Sequence, residues 1–432
     1  MTTAIASCAQ RARQRTLCIM RIPPSPTGSG GSQRAWLLVE ALRQRGPIDV
    51  VLLHRETDGD LATVSLEPLR EVVDSLTVMP LRSWGTTKLA LPFVPWRLSV
   101  WLDQLRIGSA EAPRLGRETM HEIADRLPSR DYDLVFAGRL PCAAIADDLL
   151  EAGLIKARTR VVDFDDIISR FKEREIAASE RTSAPDARAL ARLDLARVRR
   201  AEQRIGSSWD AASVCTQDDA NLLAAAVPGG LFGAVPNVVE RPQLPFVADG
   251  DPVVLFVGNL GFPPNQQGLE LFINDAWPRV RARQRRARLM VVGLAPPASL
   301  AGRIAAGDDG ISLHPNVPSV EPFYEQANVV ICPITFGGGT RIKLLEAMAY
   351  GRPIVSTTIG AEGLGLVDGC HALIRDDMAG FADAVNRLGN DPVLQCRLAQ
   401  AARNHQVESF GFPVMHRALD DLIAAAQARQ TA

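Results

Sequence analysis

The chain has 432 residues, and because a typical domain has about 150, two domains of about 200 residues each are expected. Hydrophobic residues make up 47% and charged residues 22%, a balance that excludes a disordered chain and a collagen-like repeat. No apolar run approaches the ~20 residues of a membrane-spanning helix. The 48 basic and 49 acidic residues give a net charge of −1, so we expect no nucleic-acid partner, and any anion-binding site must be local.

The cysteines and the N-terminus bear on the cellular compartment. Seven cysteines are scattered without a CxxC pair or a zinc-like Cys/His spacing, which favours a reducing compartment and predicts a cytoplasmic protein. In residues 1–15 the arginines follow a short apolar stretch, which is the reverse of a signal peptide. We therefore interpret this segment as a loose, uncleaved tail.

In the N-terminal half, strand patterns alternate with helical patterns. A strand at Leu17–Ile22 is followed by a Gly/Pro/Ser-rich loop at Pro23–Ser32 and by a helix that begins near Gln33. Further strands are predicted at Val50–Leu53, Leu134–Ala137, Arg160–Phe164 and Ser213–Thr216. The Arg-, Ala- and Glu-rich stretch 170–204 predicts one or two solvated helices rather than a nucleic-acid-binding patch.

Residues 236–252 indicate a connection between two domains, because they contain four prolines and no hydrophobic periodicity. The last segment carries Phe412, Leu419, Leu422 and Ile423, an apolar stripe that needs a partner surface. We therefore predict a tail at 1–15, an N-terminal domain at 16–240, a C-terminal domain at 241–409 and a helix at 410–432 that packs back across the hinge.

From Asp251 onward, short apolar runs alternate with helical patterns, which is typical of a βα-repeating domain built on a parallel sheet. Strands are predicted at Val253–Val257, Leu289–Val292, Ile311–His314, Val329–Pro333, Pro353–Thr357 and His371–Ile374. Asn265 is the predicted N-cap of the first helix. The predicted fold class is α/β, with two Rossmann-like domains.

A glycine loop at Phe336–Gly339 follows the fourth of these strands and leads into a helix. Glycines let a ligand approach the backbone, and the unpaired N–H groups of a first helical turn favour an anion such as a diphosphate. Such loops are frequent, and one alone is weak evidence. Arg341 and Lys343 strengthen this evidence. A cation in the first turn of a helix destabilises the helix by roughly a few tenths of a kcal/mol, so two of them are expected there only where an anion binds.

Glu346 lies three residues beyond Lys343 on an overlapping helix face. It can pair with that lysine or accept hydrogen bonds from ligand hydroxyl groups, and the sequence leaves both alternatives open.

The loop Ser25–Ser32, with Gly30 and Gly31, is an N-terminal counterpart between a strand and a helix. It lacks the full GxGxxG spacing and an acidic residue placed for a dinucleotide ribose, which disfavours an NAD enzyme.

Two further features remain open to interpretation. The cluster Asp163–Asp166 is similar to a DxD metal motif, but we interpret it as a strand-end acidic cluster that can contact an acceptor and does not bind a metal. The segment Trp84–Trp101 is rich in tryptophan and either forms core or contacts a membrane surface.

With these motifs in place, the sequence resembles the nucleotide-sugar glycosyltransferases of the two-Rossmann-domain (GT-B) type, in particular the retaining group 1, or family 4-like, enzymes. The resemblance rests mainly on the block 337–363, with Glu346-Ala347-Met348-Ala349, Gly351-Arg352-Pro353-Ile354-Val355 and Gly360-Ala361-Glu362-Gly363. Supporting blocks are Leu255-Phe256-Val257-Gly258-Asn259-Leu260, Pro236-Asn237-Val238 and Gly30-Gly31.

The resemblance implies two domains that face each other across a cleft, with a helix crossing back, and no cofactor besides the nucleotide-sugar substrate. It implies that Glu346 holds the ribose, that Arg341 and Lys343 grip the diphosphate, and that Gly30 and Gly31 border donor and acceptor. Other implied donor contacts are Gly258, Asn259, Gly338, Gly339, Thr340 and Glu362.

The sequence departs from the family at two places. Gly338 stands where the family usually has a second Glu, which puts the sugar contact in doubt. Asn259 and Pro264 stand where Arg and Lys often occur, a loss that Arg341 and Lys343 can offset.

The predicted function is transfer of a sugar from a nucleoside diphosphate sugar to a glycan or lipid-linked saccharide, retaining and metal-independent. The alternatives are a nucleotide-sugar epimerase or hydrolase of the same fold, and a non-catalytic partner subunit that binds nucleotide or glycan.

Overall fold

A computed structural model describes residues 14–55, 65–81, 115–179, 184–245, 251–307 and 309–431. The predicted membrane-contact segment Trp84–Trp101 lies outside the described residues. Contacts divide the chain into two compact units. Unit 1 comprises Met1–Val235 and His416–Ala432, and unit 2 comprises Pro236–Met415. Within the described part of the chain, no helix is long and apolar enough to span a membrane.

Unit 1 contains a seven-stranded sheet in which every pair of neighbours is parallel. Its strands are β1 (Thr16–Met20), β2 (Ile48–Arg55), β3 (Ser75–Leu81), β4 (Asp131–Gly138), β5 (Lys156–Asp165), β6 (Ala211–Val214) and β7 (Phe232–Ala234). The order is β3-β2-β1-β4-β5-β6-β7. The chain thus changes direction along the sheet between β1 and β4, where a ligand crevice is expected at the carboxyl ends.

The sequence prediction missed the two edge strands of this sheet. β3 contains Pro80, which interrupts a strand pattern and is tolerated only at an edge. β7 has three residues and contains Gly233, so it offers no hydrophobic alternation to detect. Both strands depend on their neighbours in the sheet rather than on a pattern of their own.

The helices of unit 1 lie between its strands. They are α1 (Gly30–Arg43), α2 (Glu67–Val72), α3 (Arg117–Arg126), α4 (Leu140–Glu151), α5 (Ile168–Ser179), α6 (Pro185–Ser208) and α7 (Gln217–Ala226). Helix α1 begins three residues before Gln33, because the Ser29 side chain accepts from the Ser32 N–H and caps the helix at Gly30. The stretch 170–204 falls on two helices, α5 and α6.

Unit 2 contains a six-stranded parallel sheet with the order β10-β9-β8-β11-β12-β13. Its strands are β8 (Val253–Val257), β9 (Arg288–Gly293), β10 (Ile311–Pro315), β11 (Val329–Cys332), β12 (Ile354–Ser356) and β13 (Leu373–Ile374). All six strands predicted for this half are present. Alternate residues of β8 face two different buried clusters, so the sheet is covered on both faces, as is usual for a parallel sheet.

The first helix of unit 2 follows β8, and the others lie between or after the later strands. They are α8 (Pro263–Leu271), a π-helical turn (Phe272–Ala276), α9 (Trp277–Arg283), α10 (Ala298–Ala306), α11 (Glu321–Gln326), α12 (Ile342–Ala349), α13 (Met378–Asn390) and α14 (Pro392–Ser409). The prediction of Asn265 as an N-cap is wrong. Phe262 is the N-cap, because Pro263 and Pro264 fit the first helical positions, where no N–H is needed.

The last helix, α15 (Phe412–Thr431), starts in unit 2 and ends in unit 1. Leu419 and Ile423 are buried, and Leu422 lies against Gly233 of β7, where an added Cβ would come within 2.9 Å of it. Asp420 pairs with Arg45, which follows α1. The later part of the apolar stripe, from Leu419 onward, is therefore buried in unit 1.

Candidate functional site

The strand order of unit 2 reverses between β8 and β11, so a crevice is expected at the carboxyl ends of these two strands. Gly258 and Asn259 follow β8, and the glycine loop and helix α12 follow β11. In that loop, Gly337 has a φ of 131° and Gly339 a φ of 73°, values that L side chains rarely adopt. Glycine therefore allows this loop conformation without strain.

Lys343 extends from the first turn of α12 towards the end of β8. Its Nζ donates a hydrogen bond to Asn265 Oδ1 at 2.7 Å and lies 4.3 Å from the centroid of the Phe256 ring. Burial, with the Arg341 guanidinium nearby, lowers the pKa of Lys343 to about 8. A cation with little solvent contact is thus held at the strand ends.

Asn265 connects this lysine to the loop after β8. Its Nδ2 donates to the Asn259 carbonyl oxygen at 2.8 Å, while its Oδ1 accepts from Lys343. The sequence prediction missed this role, because an Asn near a helix start is ordinarily interpreted as a cap.

Arg341 is the N-cap residue of α12, and its backbone is extended. Its guanidinium turns back onto the glycine loop and donates to the carbonyl oxygens of Gly338 and Gly339. Nε and Nη2 of Arg341, and Oγ1 of Thr340, are buried and have no hydrogen-bond partner within the part of the chain that the structure describes. Because buried donors without an acceptor are costly, these atoms make the loop a candidate anion-binding site.

Glu346 lies one turn further along α12 and is 9% exposed. Its Oε2 is 3.1 Å from the Tyr324 hydroxyl, which also lies 3.0 Å from the Lys343 carbonyl oxygen. Burial raises the pKa of Glu346, and the hydrogen bond from Tyr324 partly opposes that rise. The hydrogen bonds of the two side chains go to Tyr324 and Asn265, while the charges of Glu346 and Lys343 attract each other at longer range.

Tyr324 was missed by the sequence analysis. It lies on α11, before β11, and nothing in its neighbourhood in the sequence connects it to a residue 22 positions away. The tyrosine reaches Glu346 only because the parallel sheet brings α11 and α12 together.

The structure brings together most of the predicted donor residues. Gly258, Asn259, Gly338, Gly339, Thr340, Arg341, Lys343 and Glu346 lie on the loops and helix that follow β8 and β11. Gly258 lies beside the lysine, since an added Cβ would come within 2.8 Å of Lys343 Nζ. Glu362 is half-buried in the turn after β12, one strand further along the sheet.

In unit 1, a pocket lies where β1 and β4 end. Its lining residues are Met20, Arg21, Ile22, Gly31, Arg34, Ala35, Leu38, Gly138, Arg139, Asp163 and Asp165. Gly31 is in the first turn of α1, where an added Cβ would come within 3.0 Å of Ile22 Cδ1 and 3.6 Å of Arg139 Nη2. Gly30 begins the same helix.

The acidic cluster at the end of β5 is bound by arginines. Arg34 donates to both oxygens of Asp163, at 2.9 and 2.7 Å, and Arg139 donates to Asp165. Asp165, Asp166 and Cys215 place ligand atoms within 4.8 Å of one another, but burial raises the pKa of the Cys215 thiol. Because Arg34 and Arg139 already balance the charges of Asp163 and Asp165, we interpret the cluster as an ion-paired network.

Residues 251–391, which contain the candidate site of unit 2, match the family model for glycosyl transferases group 1. Unit 2 contains a glycosyl transferases group 1 domain. The chain is 34% identical over 135 residues to an uncharacterized 44.6 kDa protein in the cps region of Klebsiella pneumoniae. It is 33% identical over 113 residues to the D-inositol 3-phosphate glycosyltransferase of Arthrobacter sp. (strain FB24). These matches cover 30% and 25% of this chain, and they span 35% and 26% of the two relatives.

Solved structures are similar over almost the whole chain. Sucrose-phosphate synthase of Thermosynechococcus elongatus is 16% identical, with a TM-score of 0.64, and the match covers 97% of this chain and 100% of that one. HepE of Anabaena, solved with UDP-glucose, is 13% identical, with a TM-score of 0.61 and coverages of 95% and 100%. At such identities the likeness concerns the fold, and the two parallel-sheet units have the GT-B architecture.

Proposed function

We propose that this glycosyl transferases group 1 protein is an enzyme that transfers a sugar from a nucleoside diphosphate sugar to a hydroxyl group of a glycan or lipid-linked saccharide. The observation that carries the proposal is the buried, incompletely paired Arg341 guanidinium beside Lys343 at the ends of β8 and β11. A nucleoside diphosphate satisfies such a site, because its phosphate oxygens accept charge-assisted hydrogen bonds. The names of the relatives, and the UDP-glucose bound to HepE of Anabaena, support the same chemistry.

Glycosyl transfer breaks the bond between the anomeric carbon and a diphosphate oxygen, which keeps the electron pair. The acceptor oxygen forms a bond to that carbon and gives its proton to the departing diphosphate or to water. Negative charge grows on the departing diphosphate. Arg341, Lys343 and the first N–H groups of α12 are placed to stabilise that charge. We infer that these groups supply the positive charge without a metal, and the resemblance supports retention of the anomeric configuration.

Glu346 is assigned to the ribose. A buried carboxylate whose position is fixed by Tyr324 can accept hydrogen bonds from ribose hydroxyl groups. Unit 1, with Gly30 and Gly31, is assigned to the acceptor. The expectations of a cytoplasmic location and of membrane contact through Trp84–Trp101 stay predictions from the sequence.

The proposal is tested by product analysis. The full chain is incubated with UDP-glucose, UDP-N-acetylglucosamine or GDP-mannose, with and without a panel of methyl glycosides, and the products are identified by mass spectrometry. We expect nucleoside diphosphate release that depends on acceptor and is accompanied by a disaccharide. Release without acceptor indicates a hydrolase, a changed sugar on the intact nucleotide indicates an epimerase, and binding without turnover indicates a partner subunit.

We also expect Gly258→Ala to weaken diphosphate binding. The new methyl group would lie 2.8 Å from Lys343 Nζ and 2.9 Å from Asn265 Nδ2, so the ammonium must move away from its place. The control is Gly302→Ala, where an added Cβ meets nothing within 4 Å in the exposed helix α10. That control should raise stability by about 0.5–1 kcal/mol and leave binding unchanged. Equal affinities for UDP in both variants would contradict the assigned place of the lysine.

A further inference from the structure

The predicted connection between the domains packs against the helix that carries Lys343 and Glu346. Its described residues, 236–245, belong to unit 2 and run past the end of α12. We propose that Arg241, on this connection, is a positioning residue that holds the Glu346 carboxylate ready for the ribose, so that nucleotide binding and attachment of the connection strengthen each other. This inference rests on the proposed function and adds a residue that lies outside the glycine loop and α12.

Two hydrogen bonds hold the connection beside the C-terminal end of α12. The Leu244 N–H donates to the Tyr350 carbonyl oxygen at 3.3 Å. Arg352 is fully buried, and its Nη2 donates to the Pro245 carbonyl oxygen at 2.7 Å. Because Tyr350 is the C-cap residue of α12, this end of the connection is fixed one turn beyond Glu346.

Helix α14 holds the connection from another side. Gln406 Nε2 donates to the Val239 carbonyl oxygen at 2.7 Å. Arg403 Nη1 donates to the Arg241 carbonyl oxygen at 3.0 Å, and it also donates to the Ala349 carbonyl oxygen at the end of α12. One guanidinium thus ties the backbone of residue 241 to α12.

The Arg241 side chain extends from this backbone towards Glu346. It forms a hydrogen bond with the Tyr350 side chain. The rings of Tyr350 and Tyr324 lie 4.8 Å apart, measured between their centroids, and the Tyr324 hydroxyl lies 3.1 Å from Glu346 Oε2. A contiguous set of side chains therefore leads from the connection to the carboxylate that is assigned to the ribose.

Arg241 also acts on the charge of Glu346. Burial raises the pKa of Glu346, and the Tyr324 hydrogen bond opposes that rise. The nearby charges of Arg241 and Lys343 oppose it as well. The groups that face Glu346 are thus Tyr324 on α11, Lys343 and Tyr350 on α12, and Arg241 on the connection. Since Lys343 is assigned to the diphosphate, Arg241 is the cation that remains to balance the carboxylate.

The ionised carboxylate is the better partner for a ribose, because hydrogen bonds to a charged acceptor are stronger. A cation that favours this form therefore raises the affinity for the nucleotide. Binding linkage is reciprocal, so the bound nucleotide stabilises Arg241 in its place by the same factor. Because Arg241 belongs to the connection, nucleotide binding should hold the connection more firmly against α12 and α14.

The test compares Arg241→Met with Arg241→Lys in the full chain. Methionine removes the charge, whereas lysine keeps a cation near the carboxylate. The control is Gln406→Met, which removes the hydrogen bond to the Val239 carbonyl oxygen and loosens the connection without changing a charge. Affinity is measured by titration calorimetry from about pH 5 to about pH 8, with whichever of UDP, GDP and ADP the wild type binds most tightly.

Arg241→Met should lose affinity on acidification at a pH about 0.5–1 unit higher than the wild type does, because Glu346 then takes up a proton more readily. Arg241→Lys should restore most of the wild-type profile. Gln406→Met should keep the wild-type profile even if its urea midpoint falls. In a Glu346→Gln background no carboxylate is left to titrate at this position, so Arg241→Met should no longer move the acid side of the profile.

Hydrogen–deuterium exchange measures the other half of the linkage. Bound nucleotide should slow amide exchange in residues 239–245 of the wild type and of Arg241→Lys, and should slow it much less in Arg241→Met. A merely structural role of Arg241 predicts faster exchange in Arg241→Met, with the same slowing by the nucleotide as in the wild type.

Three results would overturn the inference: the acid sides of the wild-type and Arg241→Met profiles coincide, Arg241→Met moves the acid side equally in the Glu346→Gln background, or the nucleotide leaves exchange in residues 239–245 of the wild type unchanged. Tight binding of a diphosphate together with any of these results leaves the proposed function intact. If no diphosphate binds the wild type, the proposed function and this inference both fail.

Discussion

Lys343→Met should weaken the binding of UDP, GDP or ADP by about 10- to 100-fold. A charge-assisted hydrogen bond contributes about 1.5–3 kcal/mol, and the ammonium in question is buried beside the predicted diphosphate position. The substitution also leaves Asn265 Oδ1 without its donor. The affinity is measured by titration calorimetry on the full chain.

The control for that variant is Lys172→Met, which removes a lysine on α5 that is ion-paired with Asp194 at 2.7 Å in unit 1. It should bind diphosphates like the wild type. A Lys343→Met protein that binds as tightly as the control would show that the lysine does not contact the ligand.

The same lysine gives the binding a pH dependence. Its pKa is lowered to about 8, so the ammonium is lost as the pH rises through that value. Wild-type affinity should therefore fall at alkaline pH. Lys343→Met has no ammonium to lose, and its affinity should be nearly independent of pH over that interval.

Glu346→Gln should lower the affinity for UDP by about tenfold and reduce the preference for ribose. Wild type should bind UDP at least about tenfold more tightly than 2′-deoxy-UDP or 3′-deoxy-UDP, because losing a hydroxyl removes one of the hydrogen bonds to a buried carboxylate. In Glu346→Gln that ratio should shrink, since the uncharged amide forms weaker hydrogen bonds.

A matched control is Glu202→Gln. Glu202 is a buried glutamate of unit 1 that accepts from the Ser169 N–H at 2.9 Å, and burial raises the pKa of its carboxyl too. Its replacement should leave nucleotide binding and ribose preference unchanged. If Glu346→Gln prefers UDP over the deoxy analogues as strongly as the wild type does, Glu346 does not contact the ribose.

The raised pKa of Glu346 predicts that nucleotide binding also weakens at acidic pH. As the pH falls through the pKa of Glu346, the carboxylate takes up a proton and becomes a weaker hydrogen-bond acceptor. Binding should weaken earlier on acidification than it would for an ordinary glutamate, and Glu346→Gln should lack this acid limb.

Strands and helices with a strong local hydrophobic pattern can be predicted from the sequence. Those that depend on contacts with distant residues cannot. All six strands of unit 2 were predicted, because the central ones, such as β8 and β11, are short apolar runs that are buried on both faces. The edge strands β3 and β7 were not, because Pro80 and Gly233 weaken the local signal. Asn265 was assigned to a cap since local spacing cannot show that Lys343, 78 residues away, takes its oxygen.

The candidate site shows the same division. Glycine spacing and two cations near a helix start single out Arg341 and Lys343 from the sequence alone. The role of Tyr324 could not be predicted from the sequence, because its contact with Glu346 arises from the packing of α11 against α12. Sequence also cannot show that Arg34 closes onto Asp163 from 129 residues away or that Arg139 has a positive φ.

The central claim is that unit 2 holds a nucleoside diphosphate through Arg341, Lys343 and Glu346 without a metal. The most direct test is calorimetric titration of UDP, GDP and ADP into the wild-type full chain, once with EDTA and once with Mg²⁺. We predict saturable binding of at least one diphosphate, with the same affinity under both conditions. Binding of none of them, or binding only with Mg²⁺, would contradict the claim.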